Sequence, residues 1–420
     1  MCPGLRKLKL RAFYVIPDGG KITLKSLHVE VCELIDNRPE LTYASVAEAI
    51  GVSAQYMSKF KKNGTINFGG LLKLAKVLSF PDQNFRMTMS NFCLKVDTTE
   101  LIKQSFEYAA ITRDIELLKK LIEKYRDDRG SIKEYVDVYE ILYKYIVNEI
   151  GGKSLINSLQ TLRQPTDCCL RILMDIMKCY NYYFSKDFPM MIGLGREVEQ
   201  SLKHLSGGRK DFILHCYFHR VYEILAPVYL RLNNRDLTRK YAAVLKGSNF
   251  CSKTVSDATY LMGMSYLLED KQKCLSLLKE SYELSKAIGE KILETEALYN
   301  LKLVELYYEL ENNQSTNNLD GIERLASRFY QKENEDFIVL FKAMRDNSNK
   351  SLHNCLKQFF SQGNYFFSSL SARELYKRGE DSAIIEWMMD YQYEVGGKGF
   401  EEINIDNVAN DDFNGNAVCY

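Results

Sequence analysis

A chain of 420 residues is too long for one compact core, so two or more domains or an extended repeat array are expected. No apolar run approaches the roughly 20 residues that a membrane-spanning helix needs, which excludes a helical membrane protein. Charge is almost balanced at 56 Lys and Arg against 55 Asp and Glu, but 12 of the former and 6 of the latter lie before residue 81, leaving 44 and 49 to the remainder. A basic head on a mildly acidic body suits a head that meets nucleic acid and a body with another task. The seven prolines stop at Pro227, and the Leu-, Tyr-, Lys- and Glu-rich second half favours helices. The 11 cysteines include no Cys-x-x-Cys pair, and scattered cysteines of this kind read as thiols buried in a reducing cytoplasm.

In chain order, residues 1–22 form a basic extension without the long apolar core of a signal peptide. It reads either as an arm against DNA backbone or as a non-native start. A first helix over 23–36 ends at Asn37-Arg38-Pro39. The stretch 41–80 then predicts a helix-turn-helix, with helices over 45–50 and 53–62 joined at Gly51-Val52-Ser53. Ala47 is the small residue needed where the helices touch, Gly51 tolerates positive φ, and Val52, Met57 and Phe60 recur at helical spacing as the inward anchors. Ser53, Gln55, Ser58, Lys59 and Lys62 are left outward, with Tyr56 grouped among them, as the face for a DNA major groove. The bland alternative is a helical hairpin with a basic solvated face. Asn63-Gly64 closes the second helix, Asn67 caps a third over 68–78, and Pro81-Asp82 ends it.

Beyond residue 84 the pattern becomes paired helices: 92–110, 114–125, 132–150, 167–184 with a partner to 205, and 211–232 with a partner to 245. The series continues through 255–268 with a partner to 288, 291–311 with a partner at 321–330, then 335–360 and 365–391. Small residues such as Gly263 and Ala297 inside apolar helices mark degenerate tetratricopeptide-like units, which stack because one pair cannot bury its apolar face alone. The expected fold is all-α: a helix-turn-helix domain over 23–83, a right-handed α-solenoid over 84–395, and a mobile tail over 396–420.

Nothing in the chain argues for catalysis, and no cofactor or metal is expected. His215 and His219 stand four apart on one helix, but without a second ligand cluster they read as a packed or groove-facing pair rather than a zinc site. Gly69-Gly70 lacks the Lys-Ser/Thr of a phosphate loop. Ile384, Ile385, Trp387 and Met388 crowd the last helix, where the choice lies between an internal cap and a dimer contact. The dimer reading is favoured, since it supplies two heads for a two-fold DNA site.

Several segments in order carry a family resemblance: NFGGLLKLAKVLSFPD from Asn67, FCLKVD from Phe92, IKQSFEYA from Ile102, LRLNNRDL from Leu230, YLMGMSYL from Tyr260 and RELYKRGEDSAIIEWM from Arg373. The chain resembles the AimR-type arbitrium receptors of temperate phages, within the wider peptide-sensing helix-turn-helix/tetratricopeptide regulators. The resemblance implies a homodimer in the bacterial host cytoplasm that binds double-stranded operator DNA and activates a lysogeny-control gene. A short signalling peptide bound in the solenoid groove switches that activity off. It implies peptide contacts at Asn233, at Lys253 near an expected arginine, and at Asn300. Met264 departs from an asparagine of the family and points to a private signal. The alternatives are a host-gene quorum-sensing regulator of the same architecture and a solenoid scaffold acting through a signalling-protein partner.

Overall fold

The computed structural model describes residues 26–79, 84–205, 211–248, 250–311, 335–346 and 348–393. The readings made for 1–22, for the turn at Pro81-Asp82, for the helix at 321–330 and for the tail at 396–420 lie outside the described residues. Among the described residues there are 20 helices and no strand. The protein is all-α, as its composition requires. Two compact units divide it, one reaching Ile66 and adding Lys73–Thr88, the other taking Asn67–Leu72 and the chain from Met89 onwards.

In the first unit, α1 (Leu27–Asp36), α2 (Tyr43–Ile50) and α3 (Ala54–Asn63) are followed by α4 (Phe68–Ser79). Helices α1 and α2 both pack on α3. Val31, Ile35, Val46, Ala47, Met57 and Phe60 close this small core.

In the second unit, α5 (Phe85–Lys95) is followed by α6 (Thr99–Ile111), α7 (Ile115–Tyr125), α8 (Ser131–Ile146), α9 (Lys153–Thr161), α10 (Cys168–Phe184), α11 (Phe188–His204), α12 (Asp211–Arg231), α13 (Arg235–Gly247), α14 (Ser252–Ser265), α15 (Lys271–Ala287) and α16 (Lys291–Glu311). The series ends with α17 (Glu335–Arg345), α18 (Asn349–Ser361), α19 (Tyr365–Lys377) and α20 (Ala383–Asp390). Where the sequence reads one helix over 92–110, the structure has two. Thr98 takes an extended backbone and its hydroxyl caps the amide of Leu101, so α6 starts afresh there. The helix read to residue 150 stops at Ile146, and α9, which the sequence reading passes over, starts after Gly152 at φ 52°.

From α6 onwards each helix packs on its sequence neighbour, and α6, α8, α10, α12 and α14 also pack on one another. Helices that touch their second neighbours line the inner radius of a curved stack, so these five form its inner layer. Helix α12 is the hub, touching α6, α10, α11, α13, α14 and α19. Tyr217, Tyr222 and Tyr229 of α12 are all buried. Pro227 lies inside it; a proline there supplies no amide hydrogen for the carbonyl of residue 223 and bends the helix at that point. No helix among the described residues is long and apolar enough to cross a membrane.

Candidate functional site

Two surfaces hold the residues singled out by the sequence. In the first unit, Thr42 and Ser45 form a reciprocal cap on α2, with the Ser45 amide 3.0 Å from the Thr42 hydroxyl and the Thr42 amide 2.9 Å from that of Ser45. Gly51 at φ 72° ends α2, and the Ser53 hydroxyl accepts from the Tyr56 amide at 3.2 Å to open α3. Gly64 at φ 68° ends α3 against the His28 ring, leaving no room there for a side chain, since a Cβ would stand 2.8 Å from Nδ1. With both ends fixed and Met57 and Phe60 buried, Ser53, Gln55, Ser58, Lys59 and Lys62 are exposed and Tyr56 is half-buried. Val52, expected inside, is also only half-buried. Lys61 turns back, 4.0 Å over the Tyr43 ring and 3.8 Å from Asp36. The outward face of α3 is therefore polar and cationic, with amide and guanidinium-free donors suited to base edges and phosphates.

In the second unit, the inner layer carries a charged cluster. Glu223 of α12 accepts from the Thr254 hydroxyl of α14 and lies 3.9 Å from both Arg113, in the α6–α7 turn, and His219 Nδ1. Burial works against its charge, but His219, Arg113 and Thr254 together hold the Glu223 carboxyl below its usual range. Burial also lowers the His219 pKa, against the pull of the Glu223 carboxylate, whereas Arg113 keeps its charge beside it. Both His219 ring nitrogens are buried without a hydrogen-bond partner, and Phe250 meets the ring edge-on at 5.2 Å. His215, its predicted companion, is half-buried.

Beneath this cluster, Arg220 Nε donates to Glu107 Oε1 at 2.9 Å, and the Tyr139 hydroxyl donates to Glu107 Oε2 at 2.6 Å. The pair bolts α12 to α6 and α8. Glu107 is fully buried, and burial pushes its pKa up against the pull of Arg220 and Tyr139. The sequence carried a signal for this pair: one glutamate and one arginine each set inside an otherwise apolar helical run. Beside the cluster Tyr145 stacks on Tyr180 at 5.4 Å and 6°, giving the inner layer an aromatic stretch.

The three residues expected to hold a peptide do not converge. Lys253 pairs with Asp257 at 2.6 Å, and although burial opposes its charge, Asp257 and Glu296 raise its pKa. Asn300 lies on α16, one helical turn beyond Glu296, and is half-buried. Asn233 stands apart. It precedes α13 and Lys253 follows it, so a helix of 13 residues, about 20 Å long, separates them. Asn233 is also buried, and its amide donates to the Tyr391 carbonyl. In this arrangement its side chain is engaged in an intramolecular contact.

On α20, Ile384 and Trp387 are 68% and 54% exposed, Met388 is half-buried, and Ile385 is 4% exposed. Ile385 is buried within the chain, and Ile384 and Trp387 are the large apolar side chains of this helix left open. Among the described residues, Asp167, Cys168 and Cys169 bring three ligand-type atoms within 4.8 Å of one another. Asp167, however, caps α10 by accepting from the Cys169 amide at 2.9 Å, and it pairs with Lys103 at 2.8 Å. That carboxylate serves as a helix cap.

Two solved structures share the fold. A selenomethionine form of phAimR superposes with a TM-score of 0.60 at 18% identity, over 86% of this chain and 100% of that one. A structure described as phAimR with ligand gives 0.58 at 20% identity, over 75% of this chain and 98% of that one. No curated protein sequence matches. The family model for AimR transcriptional regulator-like proteins matches residues 86–377, which is more than half of the chain and takes in the whole inner layer. The chain belongs to the AimR transcriptional regulator-like family.

Proposed function

We propose that this protein is a DNA-binding transcriptional regulator that a short peptide switches through the inner layer of its helical stack. In this reading the homodimer activates a lysogeny-control gene of a temperate phage until the peptide binds. One observation supports it: a single chain joins a capped helix-turn-helix with an exposed Gln55, Ser58, Lys59 and Lys62 face to a helical stack bearing Arg113, His219, Glu223, Lys253 and Asn300. A buried imidazole, paired charges and stacked tyrosines are the mixture that recognises a peptide's amides, termini and side chains. A structure described as ligand-bound in the same family supports the same assignment. Only a ligand that binds one arrangement better than another can switch the output, so the peptide must bind the DNA-competent and DNA-incompetent states unequally.

The test has two arms. Genomic fragments selected by the purified protein should be retained by wild type, weakened uniformly by Lys59→Ala with a salt slope reduced by about one, and re-ranked by Gln55→Ala. The candidate peptide from the reading frame downstream of the gene should release the selected DNA. DNA binding unaffected by either substitution would remove α3 as the reader, and release without any change in lysogeny would remove the phage assignment.

A further inference from the structure

The Asn233 carboxamide joins parts of the second unit 158 residues apart, Nδ2 donating to the Tyr391 carbonyl at 2.9 Å. Two residues further along, the Tyr393 amide donates to the Leu232 carbonyl at 3.2 Å. Rings grip the same segment: Tyr391 lies 4.6 Å from Trp387, 4.8 Å from Tyr365 and 5.5 Å from Phe360. Tyr393 stacks on Tyr365 at 6.1 Å and 13°. The chain leaving α20 is therefore tied down on the turn between α12 and α13.

The turn it meets holds polar groups that are not satisfied. Asn233 Oδ1 is buried without a hydrogen-bond partner, and so is Arg231 Nε two residues earlier. Arg231 lies 3.4 Å from the Gln362 carbonyl, 3.7 Å from Asp336 and 5.1 Å over the Phe188 ring. Asn233 itself sits at φ 61°, the left-handed region that asparagine enters more readily than most residues. Orphaned buried groups oppose the state that buries them. Stacked rings thus hold the contact shut while its own polar atoms work against it, which is the balance expected of a segment that opens locally.

We propose that residues 391–393 are a latch closed on the α12–α13 turn by Asn233, and that α20 opens with it as a unit independent of the rest of the stack. Opening returns the Leu232 and Tyr391 carbonyls to water and releases the helix from which Ile384 and Trp387 project. The latch therefore governs whatever contact that helix makes, and it stands whether or not the inner layer takes a peptide.

Amide exchange of the full-length protein tests it. Asn233→Gly keeps the left-handed turn but deletes the hydrogen bond, so exchange in 384–393 should rise about tenfold, the factor that one net hydrogen bond represents, while α12 and α13 keep their protection. Tyr391→Ala, which leaves the turn untouched, should do the same. Trp387, the only tryptophan, should become more accessible to acrylamide in both variants. Wild-type exchange and quenching in Asn233→Gly would overturn the latch, since Asn233 would then serve the turn alone. Simultaneous loss of protection in α12, α13 and α20 would overturn it too, because α20 would not be a separate unit.

Discussion

Glu199 shows at a single residue how packing alters chemistry that the sequence leaves ordinary. It lies on α11, 5% exposed, with the Tyr241 hydroxyl of α13 at 3.4 Å, and burial raises its pKa to about 7. A carboxyl whose folded pKa is raised favours the neutral form, so stability is highest below its unfolded pKa and falls as pH rises from about 4.5 to about 7. Glu199→Gln keeps an acceptor for Tyr241 and removes the buried charge. Thermal melts should show the variant more stable than wild type at pH 8, by up to about 3 kcal/mol, and indistinguishable at pH 4. Arg220 gives the opposite case. Arg220→Met leaves the Glu107 carboxyl buried without its cation and should destabilise by about 3–5 kcal/mol, whereas a double variant that also changes Glu107→Leu should recover most of the loss. Denaturant midpoints of the four proteins measure the coupling. The sequence shows that both residues sit in apolar runs, but residues 107 and 220 are 113 apart, and only the fold brings α6 to α12.

At the scale of the helix, caps and close approaches decide the boundaries. Thr98 divides what periodicity alone reads as one helix, because apolar spacing runs on through a break that only the cap and its extended backbone create. The Asp-Thr pair at 97–98, with its short polar side chains, was the available signal. Gly263 sits on α14 where α15 comes nearest: an added Cβ would lie 3.2 Å from Leu278 and 3.3 Å from the Cys274 carbonyl. The contact is partly with backbone, which cannot rotate away. Gly263→Ala should therefore lower stability by about 1–3 kcal/mol in spite of alanine's better helix propensity, which chemical denaturation will register. Gly247→Ala, on the neighbouring α13 with nothing within 4 Å of its Cβ, is the control expected to be neutral or stabilising.

At the scale of the whole molecule, the proposed homodimer would use the exposed pair Ile384 and Trp387 as its seam. Ile384→Asp should shift the sedimentation coefficient towards a monomer and weaken binding to a two-fold DNA site, whereas Ile385→Asp should unfold α20, since that side chain is buried. The sequence by itself determined the helical class, the helix-turn-helix and the outward set on α3, because these rest on local rules: helical spacing, serine and asparagine caps, and left-handed glycines at 51 and 64. It also determined that the body is a stack of helix pairs, because no single amphipathic pair buries its own face. What only the tertiary structure decided concerns residues far apart in the chain. It drew Arg113, Glu223 and Thr254 into one cluster and bolted Glu107 to Arg220. It also joined Asn233 to the Tyr391 carbonyl, 158 residues away. The physical reason is common to all three. A periodic pattern says which face of a helix is buried, whereas the partner across that face is set by the curvature of the stack, which no short stretch of sequence encodes.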